Sequence, residues 1–285
     1  MENQAVNPLK KYFRQPKLYL KLPSSGSFYP EGTLEKTDNG EYPVFPMTAK
    51  DEITIKTPDA LMNGQATVDV IESCIPNIKN AWAVPSIDID AILIAIRIAT
   101  YGETIELDVT LPNTTIIKTF TADLRLVVDK LMNAVFDTEI KISDDLTAFI
   151  RPLTYKEYTQ NSIKTLEEQR LFSIVNNDQL SEEEKQKNFS VSFKKITDIT
   201  VNTVAQSITK IVTPDGVVTD PQFIKEFLEN SDKDFFNKFI VALADQKEKF
   251  IMPPFKVQTS EEEQKEGAPA EFEAPVVLDA SNFFG

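Results

Sequence analysis

The sequence predicts an α+β fold: hairpins packed with buried helices, followed by a mainly helical C-terminal region. Three observations carry this. Residues 104–152 hold two apolar–polar alternating stretches broken by turn residues. Residues 87–101 are apolar nearly all round, as in a helix buried on most sides. From 153 to 250, apolar residues recur at helical spacing behind capping signals.

The α+β core is expected over 51–152. Ile53 and Ile55, between polar neighbours, predict a short strand. Thr57-Pro58-Asp59 predicts a helix start, with a capping hydroxyl, proline at the first position and an acid near the positive end of the dipole. That helix should run to about Ser73 and stop before Pro76. The next should start near Ser86 or Asp88, carry Ile87, Ile89, Ile92, Leu93, Ile94, Ile96 and Ile98, and close at Gly102. Arg97 inside it should pair with a carboxylate or reach out along its stem. Ile105, Leu107 and Val109, a turn at Pro112-Asn113, and Ile116, Ile117 and Phe120 make one hairpin. A helix over about 122–135 follows, with Leu124, Val127, Val128 and Leu131 on one face. A second hairpin, 139–143 with 147–151, turns at Asp144-Asp145.

The helical region spans 153–250. Thr154 with Glu157 and Ser181 with Glu184 fit capping boxes. Phe189, Phe193, Ile196, Ile199, Val204, Ile208 and Ile211 follow one stripe, which predicts a long helix broken at Pro214-Asp215-Gly216. Asp220-Pro221 starts a short helix and Ser231 the last. Their Phe223, Phe227, Phe235, Phe236 and Phe239 form an aromatic stripe, read as core packing, with a partner groove as the alternative use.

Two flanks differ from this body. Residues 1–50 read as an extended basic and aromatic arm. Lys10, Lys11, Arg14, Lys17 and Lys21 face one acid, Glu2, in the first 21 residues, and Tyr12 and Phe13 open a dense aromatic series. Leu18, Leu20 and Leu22 alternate as in a half-buried strand. The arm either wraps its own domain or clasps a partner. If it binds a partner, a chain without residues 1–21 should stay folded and fail to join its assembly. Residues 251–285 read as an acidic tail, a solvated loop or linker around Glu261–Glu263, with an apolar docking end at Phe283-Phe284.

The composition excludes much. The chain has 285 residues, a net charge of −14 and no histidine. Phosphate binding needs clustered cations, so nucleic acid and anionic membrane surfaces are not expected partners. Without histidine there is no Ser-His-Asp or Cys-His relay and no imidazole metal ligand. The polar start argues against a signal peptide, and one cysteine, Cys74, fits a reducing compartment, so cytoplasmic synthesis is expected. Asp88 with Asp90 reads as helix-start capping, Asp69 with Glu72 as a solvated face, Cys74 as a buried thiol, and Trp82 as packing between core helices. No enzyme, cofactor or metal site is expected. A carboxylate-based cell-wall hydrolase is the remote alternative.

The run Tyr42-Pro43-Val44-Phe45-Pro46-Met47-Thr48-Ala49-Lys50-Asp51-Glu52-Ile53, with 57–64, 71–80 and 91–102, resembles the baseplate hub assembly proteins of T-even-like contractile-tailed bacteriophages. Leu22-Pro23-Ser24, Phe28-Tyr29-Pro30 and the ending Asp279-Ala280-Ser281-Asn282-Phe283-Phe284-Gly285 share the resemblance. It implies a role in tail assembly, either as a hub subunit or as an assembly chaperone absent from the particle. Other phage tail proteins are the implied partners, with a homo-oligomer open. The resemblance implies Cys-x-x-Cys knuckles in many relatives where this chain has Leu111-Pro112-Asn113-Thr114 and Thr259-Ser260-Glu261, so no structural zinc is expected. The candidate partner-binding residues are Lys10, Lys11, Tyr12, Phe13, Arg14, Lys17, Phe283 and Phe284.

Overall fold

A computed structural model of the chain describes residues 7–57, 64–174 and 181–275. The chain enters through a 3₁₀ turn, Pro8–Tyr12, whose Leu9 amide donates to the Asn7 side chain. Strand β1 (Leu18–Lys21) pairs antiparallel with β2 (Glu41–Val44), Leu20 opposite Tyr42. Leu20, Leu22, Tyr42 and Val44 are buried. Much of the expected arm is therefore part of the body, because the alternation seen in the sequence turns one row of side chains into the core. Removing residues 1–21 would take β1 away. At the turn after β1, a Cβ on Gly26 (φ +73°) would meet the Tyr42 hydroxyl at 3.2 Å, so this close approach needs glycine.

Helix α1 (Ala49–Ile55) stands where Ile53 and Ile55 suggested a strand. The cause is local: Thr48 Oγ1 accepts from the Asp51 amide, and Asp51 accepts from the Thr48 amide. Asp51 and Ile55, four apart, are buried, while Ile53 is exposed. Of the helix start expected at Thr57-Pro58-Asp59, Pro58 and Asp59 lie outside the described residues, while the Thr57 hydroxyl donates back to the Ile53 carbonyl and the helix that reaches Cys74 starts only after Gly64 (φ +81°). Helix α2 spans Gln65–Cys74, and α3 spans Ser86–Tyr101. In α3, Ile87, Ile89, Ile92, Ile94 and Ile96 are all buried. It closes at Gly102 (φ +99°), whose amide donates to the Ile98 carbonyl. Strands β3 (Thr104–Thr110) and β4 (Ile117–Asp123) form the first expected hairpin, and α4 (Leu124–Met132) follows with Leu124, Val127, Val128 and Leu131 inward. These elements share one core around α3.

A second core gathers on a four-stranded antiparallel sheet of order β5-β6-β7-β8, made of β5 (Glu139–Lys141), β6 (Thr147–Ile150), β7 (Ile208–Thr213) and β8 (Gly216–Val218). Helices α5 (Tyr155–Ile174) and α6 (Glu182–Ser207) are inserted between β6 and β7. Here the structure corrects the long-helix reading: α6 ends at Ser207, and Ile208 and Ile211 belong to β7. The error has a physical source. The β6–β7 register shifts between Phe149 and Ile150, so Ile208 faces Ile150 while Ile211 faces Ala148. The extra residue of the bulge puts two side chains three apart on one face, which imitates helical spacing. Helices α7 (Pro221–Asn230) and α8 (Lys233–Lys249) close this core through Ile224, Leu228 and Phe239.

The expected loop after 251 is instead a small β unit. Strand β9 (Phe255–Gln258), the one-turn α9 (Glu261–Lys265) and β10 (Glu271–Ala274) form a hairpin with a capped insert. It is held on the first core by Phe120 against Phe255 and by Met252. The two cores are joined by backbone: Ser86 N donates to Leu153 O and Tyr155 N to Val84 O, both at 2.7 Å. Trp82 stacks on Tyr155 beside this strap, centroids 5.6 Å apart.

The aromatic stripe is thereby divided. Phe239 is fully buried, whereas Phe223 is 61% exposed. Phe239→Ala should cost about 3–5 kcal/mol and Phe223→Ala under about 0.5 kcal/mol, read as urea midpoints at constant slope. Equal losses at both positions would contradict this arrangement of the second core.

Candidate interaction surface

The 3₁₀ turn at the start of the chain presents most of the candidate partner-binding residues together. Leu9 is 60%, Tyr12 74% and Phe13 55% exposed. Lys10, Lys11 and Lys17 are exposed beside them, and the Lys11 amino group lies 4.9 Å from the Tyr12 ring centroid. Three large apolar side chains in five residues, interleaved with lysines and left in solvent, have the chemistry of a contact surface. Phe283 and Phe284 lie outside the described residues.

Arg14 does something different. Its guanidinium donates to the Pro46 carbonyl and the Ser73 carbonyl, both at 2.6 Å, and to Ser73 Oγ at 2.8 Å. It also pairs with Asp51 at 3.2 Å and lies 5.8 Å from the Phe45 ring centroid. The residue grouped with the lysines by charge is thus the pin that fixes the exposed turn to α1 and α2. Cys74, 3.8 Å from the same guanidinium, has its thiol pushed up to about 12, mainly by burial and then by Asp51. It is not the thiolate that nucleophilic chemistry requires.

Asp88 and Asp90 separate completely. Asp88 is wholly buried and accepts from Ser24 N at 2.7 Å, Ser24 Oγ at 2.6 Å and Tyr29 OH at 3.0 Å. Burial raises its carboxyl to about 6, against the pull of these three donors. Helix capping does not account for it; it ties the turn after β1 to the central helix. Asp90 makes no hydrogen bond or ion pair with a described residue, and lines a groove between the two cores. Arg97 stacks over Tyr101 at 4.6 Å, with no carboxylate partner among the described residues, and its buried Nε and Nη1 lack hydrogen bonds to them. Glu72 accepts from the Ala81 amide, so it too serves structure.

The positions where the resemblance places thiols are brought together. The Leu111–Thr114 turn lies by the β9–β10 insert, a Cβ on Gly267 falling 3.8 Å from the Asn113 carbonyl. Nearby, Lys118 donates to the Gln258 carbonyl and to Glu263, both at 2.8 Å. Among the described residues there is no group of three or more His, Cys, Asp or Glu placed to hold a metal. No described helix is long and apolar enough to cross a membrane.

The α+β body thus carries an apolar and basic turn that is exposed to solvent and tied down through Arg14. The sequence profile described as T4 bacteriophage base plate protein matches residues 16–266, most of the chain. The chain belongs to that family, and its role is that of a phage baseplate structural protein. No curated protein and no solved structure matches it.

Arg14→Ala should cost about 1–3 kcal/mol, because it removes the donors to the Pro46 and Ser73 carbonyls while Asp51 keeps those of Thr48 and Ser73, and Lys10→Ala and Tyr12→Ala should stay within about 0.5 kcal/mol. Thermal or urea unfolding reads both. The carboxyl of Asp88 is raised in the folded state, so its stabilising contribution is full below the unfolded value of 3.8 and lost as pH rises through about 6. Wild type should therefore lose up to about 3 kcal/mol relative to Asp88→Asn between pH 4 and pH 7. A stability difference between the two that does not change with pH would refute this titration.

Proposed function

We propose that this chain is a component of the baseplate hub that acts through protein–protein contacts in tail assembly and stays in the finished particle. It is made in the host cytoplasm and is not an enzyme. The observation that carries the reading is the exposed Leu9–Phe13 cluster, anchored next door by Arg14, on a chain of the baseplate family. Solvent exposure of three large apolar side chains in one turn is costly for a free surface and useful for a covered one. The lack of histidine supports a non-catalytic role, since carboxylates and lysines would have to do all proton transfer.

Quantitative mass spectrometry of purified virions tests the placement. The expected result is this chain at a fixed copy number that is a multiple of three or six, as a closed symmetric assembly of that order would give. Its absence from particles, with tails lost when the gene is removed, would overturn the structural reading and make it an assembly chaperone. Clearing of a peptidoglycan suspension by the purified protein would overturn the non-enzymatic reading.

A further inference from the structure

The groove between the two cores has unspent binding capacity. It encloses about 290 Å³ and is walled largely by apolar groups, among them Ile87, Ile89, Phe136, Leu243 and Phe250. The polar groups in its wall are mostly committed. Arg151 is held by Glu157 through two bonds of 2.7 and 2.8 Å, and Gln246 accepts from the Asp137 amide. Lys247 stands exposed at the rim, 5.8 Å from the Tyr158 ring centroid. Asp90 remains, half-buried, with no hydrogen bond or ion pair to a described residue. Burial pushes its carboxyl up and Lys247 pulls it down. A carboxylate without donors in an apolar wall favours a ligand that brings a cation flanked by apolar side chains.

That chemistry is on the surface of the same chain. The 3₁₀ turn offers Lys10 and Lys11 between Leu9, Tyr12 and Phe13, all exposed. The two features lie at opposite ends of α3. Arg14 pins the turn to Pro46, next to Met47, whose amide donates to Thr100 near the C-terminal end of the helix. Asp90 is in the second turn, and ten residues of helix separate them by about 15 Å along the axis.

Resting on the reading that this chain works through protein contacts, we infer that the Pro8–Phe13 turn of one copy seats in the Asp90 groove of a second copy. The two surfaces are different patches, so the contact is head-to-tail, and its repetition gives a ring or a filament. The net charge of −14 on each copy does not prevent this at physiological salt, where screening acts over about 8 Å.

The test is the assembly state of the full chain, followed by light scattering behind size exclusion and by sedimentation equilibrium. Wild type should associate with rising concentration. D90K, which reverses the groove charge, and the triple variant K10S/K11S/Y12S, which leaves the turn uncharged, should each be monomeric. An equimolar mixture of these two variants should form a 1:1 dimer and nothing larger, since it pairs one intact turn with one intact groove. D90N is the mild variant, expected to fold as wild type by circular dichroism and to weaken association about tenfold. A wild type that stays monomeric throughout would overturn the inference and leave the groove to a different protein. So would variants that associate as wild type does, or a mixture that forms no dimer. None of these outcomes touches the virion measurement, which stands or fails separately.

Discussion

The buried carboxylate of Asp88 is the interaction around which the first half of the molecule is organised. It sits in the first turn of α3, with no exposed surface, and accepts from one backbone amide and two hydroxyls of the segment following β1. A charge removed from water needs such donors, and here all three come from a stretch about sixty residues away in sequence. The consequence is that the β1–β2 hairpin is not an accessory laid on a finished domain. Its Leu20, Leu22 and Tyr42 complete the core that α3 would otherwise leave open, and Tyr29 is held both by that core and by Asp88. Burial raises this tyrosine's phenol well above its usual value, so it remains a donor across the working range.

From that anchor the rest follows in layers. Arg14 extends the arrangement outward, converting a basic flank into a fixed platform by bonding to carbonyls of two separate segments. Beyond it the chain exposes apolar and basic side chains on the Pro8–Tyr12 turn. On the other side of α3, the strap between Val84–Ser86 and Leu153–Tyr155 brings the second core alongside the first. The groove exists because the two cores are joined by backbone and a stacked Trp82–Tyr155 pair rather than merged.

The errors of sequence reading have identifiable causes. Ile53 and Ile55 looked like a strand because two apolar residues two apart carry no more information than that; the capping box at Thr48 and Asp51 decided for helix. Ile208 and Ile211 looked helical because a bulge in β7 reproduces a spacing of three. The acidic stretch near Glu263 looked solvated because charge alone does not reveal that Lys118, distant in sequence, would pair with it. Of the candidate contact residues, the exposed Lys10, Lys11, Tyr12 and Phe13 were legible from composition. The inward turn of Arg14 was not, since its partners come from three places in the chain.

The sequence by itself determined the α+β class, the buried central helix, both hairpins of residues 104–152 and the starts of the later helices. Those features rest on periodicity and on caps, which act over a few residues and can be read in order. It also determined the histidine-free chemistry and, through a long run of matched residues, the baseplate family. The tertiary structure alone decided which charges are anchors and which line the groove. Asp88 and Asp90 are two residues apart on one helix, and nothing local distinguishes them. One meets Ser24 and Tyr29 across the core, and the other faces an open groove. That difference arises from which distant segments pack against each face of α3, and packing at long sequence separation is what a linear pattern does not contain.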